Sequence, residues 1–274
     1  MLEFLEFAFM KRALMAGVLI GPLCAMLGVF IVLRRMAFFS DAIAHAALTG
    51  IALGLILRYN PSVMVVIFSV LVAFIMAYLF ETTELASDTV VGVLFSSAVA
   101  FGVILLGFVK GYSIDMSSIL FGDILGVSRT DIIIALILTL AVAAVILSFL
   151  KVFVSLTFSP DLVKVEGVNV RFFHYLFILL IAFTVAVGIK IVGVLLVSAL
   201  IIIPAAAAKN LSRNFKGMFI LAILFGFLST TFGLVASYYL NTASGPTIVM
   251  AGTLIFALSL LRGKVSLTSR SAGR

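Results

Sequence analysis

The chain has 274 residues, 64% of them hydrophobic and only 11% charged, with a net charge of +7 and a mean hydropathy of +1.38. A water-soluble domain cannot hide that much apolar surface, because usual composition is about 45–50% apolar and about 25% charged. Soluble classes are therefore excluded, and the positive charge needs no nucleic acid, since basic loops facing an anionic inner leaflet account for it.

A membrane-crossing helix requires about 20 apolar residues. Nine candidate spans follow in chain order, over approximately 13–33, 41–57, 62–80, 90–109, 131–150, 172–187, 190–208, 216–240 and 244–261. The eighth and ninth could merge, leaving eight. No linker or soluble insertion separates them, so the expectation is one all-α polytopic bundle over residues 1–274. The start, Met1 to Phe7, carries acids ahead of the apolar run and no small-residue cleavage site follows, so no removable signal is expected. Cys24, the single cysteine, lies inside the first span and reads as a packed apolar thiol.

With nine spans, one set of helix ends holds 12 basic residues, among them Arg34, Arg35, Lys151, Arg171 and Lys209, against 6 at the other set. The richer side is the cytoplasmic one. This places the amino terminus outside and the carboxyl terminus inside.

The segment from Arg34 to Ala47 then places Asp41 and His45 four residues apart in an apolar chain with only two histidines. In a helix these side chains lie about 40° apart on one face, one turn from each other, and can present an oxygen and a nitrogen to one cation. A carboxylate within a span is by default functional. The competing reading has Ser40 or Asp41 capping the second span while His45 hydrogen-bonds in the core.

Further along, glycine pairs at four-residue spacing (Gly17 and Gly21, Gly50 and Gly54, Gly122 and Gly126) favour close helix packing. Glu81, Glu84 and Asp88 form an inner connection and read as a solvated turn. Residues 110–131, on the outer side, contain a stretch too short to span that would lie at or partly in the surface. On the inner side, Ser159-Pro160-Asp161-Leu162-Val163-Lys164-Val165-Glu166-Gly167 specifies a short helix: proline suits its first turn, Ser159 is placed to cap it, Asp161 suits its positive start, and Gly167 can end it. A capped connector loop is the alternative. His174 falls at the cytoplasmic start of the sixth span, an interfacial position. Pro204, before four alanines, should kink or end the seventh span.

No phosphate-binding loop, Gly-x-Ser-x-Gly or His-Glu-x-x-His motif occurs, so neither ATP hydrolysis nor another enzymatic activity is expected of this chain.

Val32-Leu33-Arg34-Arg35-Met36-Ala37-Phe38, leading into Asp41-x-x-x-His45 and Gly50, resembles the membrane subunit of the ABC-3 class of metal importers. Leu120-Phe121-Gly122, Pro160-Asp161 through Gly167, and Val192-Gly193 through Pro204-Ala205-Ala206 resemble three further segments of that family, in order. Ser159 and Val163 depart from the acid and alanine common there. The resemblance implies a permease in the cell (plasma or inner) membrane, working as two copies with two separate ATPase subunits and a soluble metal-binding protein. Zinc, manganese or iron would be the transported ion, with no permanently bound cofactor. It implies that residues 159–167 (Ser159, Pro160, Asp161, Leu162, Lys164, Glu166 and Gly167) couple to the ATPase. The loaded binding protein would dock on the outer loops, with Asp115 and Asp123 as candidate contacts. If the second helices face a two-fold axis, two Asp41 and two His45 form an N₂O₂ set suited to such ions. The alternative is a proton-coupled secondary metal carrier in which Asp41 and His45 relay protons. A membrane scaffold would leave the pair unexplained.

Overall fold

The computed structural model describes residues 6–108, 122 and 124–271, with side chains as far as Leu261. Among these residues there is no strand, and nine helices are long and apolar enough to cross a membrane. In chain order the helices are α1 (Ala8–Leu33), α2 (Ala37–Ile56), α3 (Pro61–Thr82), α4 (Ser87–Phe108), α5 (Arg129–Ser148), the short α6 (Leu150–Phe158) and α7 (Pro160–Val165), then α8 (Val170–Val192), α9 (Val194–Leu211), α10 (Phe215–Leu240) and α11 (Ser244–Ser271). All but α6 and α7 are spans. Nine spans among the described residues put the two ends of the chain on opposite sides, in agreement with the distribution of basic residues.

The local chemistry sets the boundaries. Asn60 accepts from Ser62 N–H ahead of Pro61, Asn169 from Phe172 N–H and Asn214 from Gly217 N–H, so each side chain satisfies a donor that the first turn leaves free. Ser128 and Asp131 form a reciprocal capping box on α5. α1 ends in a Schellman turn: Met36 N–H reaches Ile31 C=O at 3.0 Å and Arg35 N–H reaches Val32 C=O at 3.4 Å, with Arg35 left-handed at φ 58°. This fixes a three-residue connection, residues 34–36, into α2.

α1 is the central helix, packed on α10 and α9 and touching α5 and α8, while α2 is enclosed by α3, α4, α8 and α9. Phe30 of α1 gathers Phe153, Phe177, Phe215 and Phe219 around it at centroid distances of 5.6–6.2 Å. That aromatic core ties α1 to three other helices, α6, α8 and α10, at the cytoplasmic end. Two ion pairs tie α8 at either end. Lys190 reaches Asp131 of α5 at 2.7 Å on the outer side, and Arg171 reaches Glu81 of α3 at 3.1 Å on the inner side.

Three expectations change. The break between the sixth and seventh spans, expected at residues 188–189, falls at Gly193, whose φ of 87° makes the turn. Gly188 is instead a packing position, where a Cβ would come 2.8 Å from Val197 Cγ2. Pro204 does not end its helix, which continues to Leu211. Ser159 makes no side-chain cap on α7; at φ −152° and ψ 74° it is the shared break between two helices, and its backbone N–H closes α6 on Ser155 C=O at 2.8 Å. Gly167 behaves as expected: at φ 77° it is the left-handed residue of a Schellman turn, with Val168 N–H on Val163 C=O.

Candidate functional site

α2 begins at Ala37, four residues before Asp41, so Asp41 lies in the second turn and its side chain does not cap the helix. At about 1.5 Å per residue, Asp41 is about 6 Å and His45 about 12 Å in from the cytoplasmic start. Both are in the inner half of the span.

The pair is on one face, with side chains 29% and 17% exposed. His45 Nδ1 is 2.9 Å from the backbone carbonyl of Asp41 and 3.5 Å from its carboxylate. A carbonyl can only accept, so Nδ1 carries the hydrogen. In the neutral ring this leaves the lone pair on Nε2, the arrangement found when a metal-ligating histidine is oriented by a carbonyl behind it. At 3.5 Å the carboxylate is too far to be consumed by that hydrogen bond and stays open for a ligand. The ring is also held by Phe95 of α4, edge to face at a centroid distance of 4.8 Å.

The rest of α2 is anchored tightly around this face. Thr49 donates to Ala98 C=O of α4 at 2.8 Å, and a Cβ on Gly102 would meet Thr49 Oγ1 at 2.9 Å. A Cβ on Gly50 would meet Met64 C=O at 2.9 Å, and one on Gly54 would meet Pro61 Cα at 2.8 Å. Both glycines lie against α3. The small residues that the sequence spacing singled out are therefore points of backbone approach.

Among the described residues no cluster of three or more His, Cys, Asp or Glu side chains exists. Among the described residues, this face thus offers a cation one carboxylate and one imidazole, too few side chains for a complete coordination sphere. A separate cavity of about 490 Å³ opens between the outer ends of α3, α5 and α8, bordered by Lys190 and Asp131, and neither Asp41 nor His45 lines it.

Of the other expected positions, Asp115 and Asp123 lie outside the described residues. The 159–167 helix is present and projects at the cytoplasmic end: Leu162 and Val165 are 65% and 85% exposed, while Val163 is buried. Asp161 and Lys164 pair loosely at 3.5 Å on its surface. Glu84 and Asp88 are exposed as expected, but Glu81 is engaged by Arg171 of the same chain rather than left to solvent. His174 is half-buried in the first turns of α8, beside Tyr175.

The sequence reading missed the contacts around Arg34. Its Nε donates to Thr157 Oγ1 at 3.1 Å, and its guanidinium lies 4.5 Å from the centre of the Phe177 ring. Burial pushes this guanidinium down to about 10, which still leaves it charged at neutral pH. Phe95 was missed as well, since nothing in a single sequence marks which of 26 phenylalanines meets a histidine.

A helical membrane bundle with an inward-half carboxylate–imidazole pair and a projecting apolar cytoplasmic helix has the architecture of a transport subunit. Residues 6–263 match the ABC 3 transport family, and the chain belongs to that family. It is 36% identical over 256 residues to the high-affinity zinc uptake system membrane protein ZnuB of Haemophilus influenzae, covering 93% of this chain and 98% of that one. It is 34% identical over 257 residues to the manganese transport system membrane protein MntC of Halalkalibacterium halodurans, covering 94% and 88%. The manganese import system permease protein ScaB of Streptococcus gordonii is 36% identical over 254 residues, covering 93% and 91%. Among solved structures, PsaBC from Streptococcus pneumoniae in complex with Fab superposes with a TM-score of 0.82 at 35% identity over 94% of both chains. An inward-facing putative metal-chelate type ABC transporter shares the fold, with a TM-score of 0.73 at 15% identity, covering 92% of this chain and 86% of that one. The chain is thus a multi-pass permease subunit of an ABC transporter in the cell membrane, and ATP hydrolysis belongs to partner subunits.

Proposed function

We propose that this permease imports zinc or manganese, with Asp41 and His45 as the transient ligands in its path. The observation that carries the reading is the oriented pair itself: a free carboxylate and a lone-pair Nε2 on one partly open face of α2, in a chain whose relatives are named for zinc uptake and manganese transport. Carboxylate and imidazole suit both ions. Two ligands from one chain are too few for a complete coordination sphere. A second copy related by a two-fold axis supplies the other carboxylate and imidazole, and water completes the larger shell of Mn²⁺.

In this scheme a soluble binding protein delivers the ion at the outer face. Two ATPase subunits engage the 159–167 helices, through the exposed Leu162 and Val165 together with Pro160, Asp161, Lys164 and Glu166. Closure of the ATPases changes which side of the bundle is open. Asp41 and His45 hold the ion only moderately, because a site on a path must also release it.

The test is uptake by the reconstituted complex, with zinc and manganese supplied in turn. Asp41→Ala and His45→Ala are expected to abolish uptake while permease, ATPase and binding protein still assemble. Wild-type metal accumulation in both variants would sink the assignment. The shared site has its own test: first-shell bonds span only about 2.0–2.2 Å, so two pairs that stay more than about 10 Å apart in every state cannot hold one ion.

A further inference from the structure

We propose that Arg34 is the mechanical link between the cytoplasmic coupling segment and the metal-handling helix, and that it sets how much transport each ATP hydrolysis delivers. This rests on the functional reading above and adds a positioning residue to it.

Arg34 stands where three elements meet. Its backbone closes α1, donating to Phe30 C=O at 2.9 Å, and it belongs to the Schellman turn that leads into α2. Its Nε donates to Thr157 Oγ1 at 3.1 Å, and Thr157 in turn donates to Phe153 C=O at 2.7 Å. Thr157 lies in the last turn of α6, and only Phe158 and Ser159 separate it from the first residue of α7. The guanidinium carbon, Cζ, lies over the Phe177 ring of α8, 4.5 Å from its centre. A planar cation can make the edge hydrogen bond and the face contact together.

A displacement of α7 is therefore handed to Thr157 across the single non-helical residue Ser159, whose N–H is bonded back to Ser155 C=O at 2.8 Å, and from Thr157 to Arg34 through a charge-assisted hydrogen bond. From Arg34 it has little slack in which to dissipate. Arg35 is held in a left-handed conformation by two backbone hydrogen bonds, and α2 starts two residues later. Asp41 and His45 occupy the second and third turns of that helix. α1 and α6 also meet through aromatic packing, between Phe30 and Phe153. Such packing resists separation but has weak directional preference compared with a hydrogen bond to a fixed fork. A packed, hydrogen-bonded chain of this kind transmits force only if its members act as a unit, which a double-mutant cycle measures.

The experiment uses the full complex in liposomes and records ion uptake and ATP hydrolysis in the same preparation. Arg34→Met, which keeps the stem and removes the fork, is expected to lower ions moved per ATP by roughly 2- to 30-fold. Thr157→Val is expected to lower the ratio less, because the face contact with Phe177 remains. Arg34→Lys should fall between wild type and Arg34→Met, since an ammonium cannot serve both partners. The double variant Arg34→Met with Thr157→Val should be no worse than Arg34→Met alone. An unchanged ratio in Thr157→Val and Arg34→Lys overturns the proposal, whether or not Arg34→Met assembles, as does a parallel fall of uptake and hydrolysis at constant ratio. A wild-type complex that moves neither zinc nor manganese overturns the functional reading instead, and the linkage with it.

Discussion

Gly21 of α1 and Gly226 of α10 stand backbone to backbone. A Cβ on Gly21 would fall 2.7 Å from Gly226 carbonyl oxygen, and a Cβ on Gly226 would fall 2.6 Å from Gly21 carbonyl oxygen. Neither partner can swing away, because both are helical main chain. In lipid there is no hydrophobic drive between helices, so association depends on this kind of fit. Gly21→Ala and Gly226→Ala are each expected to destabilise the bundle by about 1–3 kcal/mol through overpacking. Gly92→Ala and Gly107→Ala on α4, where a methyl meets open space, are the controls and should be neutral or slightly stabilising. Thermal unfolding of the detergent-solubilised protein checks all four, and equal melting temperatures across the set would contradict the packing argument.

Those glycines mark how far the sequence could be read. The Gly17–Gly21 and Gly50–Gly54 spacing announced close approach, but its partners, Gly226 on α10 and Val65 with Pro61 on α3, are distant in sequence or specific to register. The nine spans were legible because lipid enforces length and apolarity. Their ends were less so: α2 starts at Ala37 rather than at Asp41, since Met36 and Ala37 need no capping side chain after a tight Schellman turn. Gly193 was hidden by Gly188, because a glycine that packs and a glycine that turns look alike until φ is known. The Asp41–His45 pair was readable from i, i+4 spacing alone. Its tautomer was not, because the deciding partner is a carbonyl every residue possesses. Arg34 counted only as a topology signal. Its contacts with Thr157 and Phe177 cross 123 and 143 positions, which no local pattern reports.

Phe95 bears on the site without offering a ligand. Its ring lies 4.8 Å from that of His45, so it limits the directions in which Nε2 can point. Such aromatic contacts contribute about 0.5–1.5 kcal/mol. Phe95→Ala is therefore expected to raise KM for metal uptake by roughly 2- to 10-fold with complex assembly intact, and Phe95→Tyr should restore most of it. A KM indistinguishable from wild type in Phe95→Ala would show that the hydrogen bond to the Asp41 carbonyl orients the ring unaided.

Glu81 and Arg171 make a simpler case. The pair joins α3 to α8 at 3.1 Å, with the Arg171 side chain 76% exposed. Exposed pairs contribute about 0.2–1 kcal/mol and weaken with salt. Glu81→Gln and Arg171→Gln should each lower the melting temperature only slightly, and less at high ionic strength. Exchanging the two charges, Glu81→Arg with Arg171→Glu, should recover most of the loss. Additive losses in the exchanged protein would mean that the two side chains act through other neighbours.

The cytoplasmic helix α7 separates folding from docking more cleanly, because its adjacent residues face opposite ways. Val163 is 1% exposed, while Leu162 and Val165 are 65% and 85% exposed. Burying a carboxylate in place of this apolar side chain is costly, so Val163→Asp should reduce the amount of folded permease recovered. Leu162→Asp and Val165→Asp place the same charge in water and should leave the isolated permease as stable as wild type. They are nevertheless expected to remove copurifying ATPase, since exposed apolar anchors on a short helix make up a small contact surface with few alternatives. Gly167→Ala tests the exit turn independently. A Cβ there meets nothing within 4 Å, so the cost is the backbone strain at φ 77°, about 1–2 kcal/mol, borne locally. That variant should still bind the ATPase, with reduced affinity, because the helix is tilted rather than charged. Full ATPase binding by Leu162→Asp and Val165→Asp together would move the docking surface away from α7.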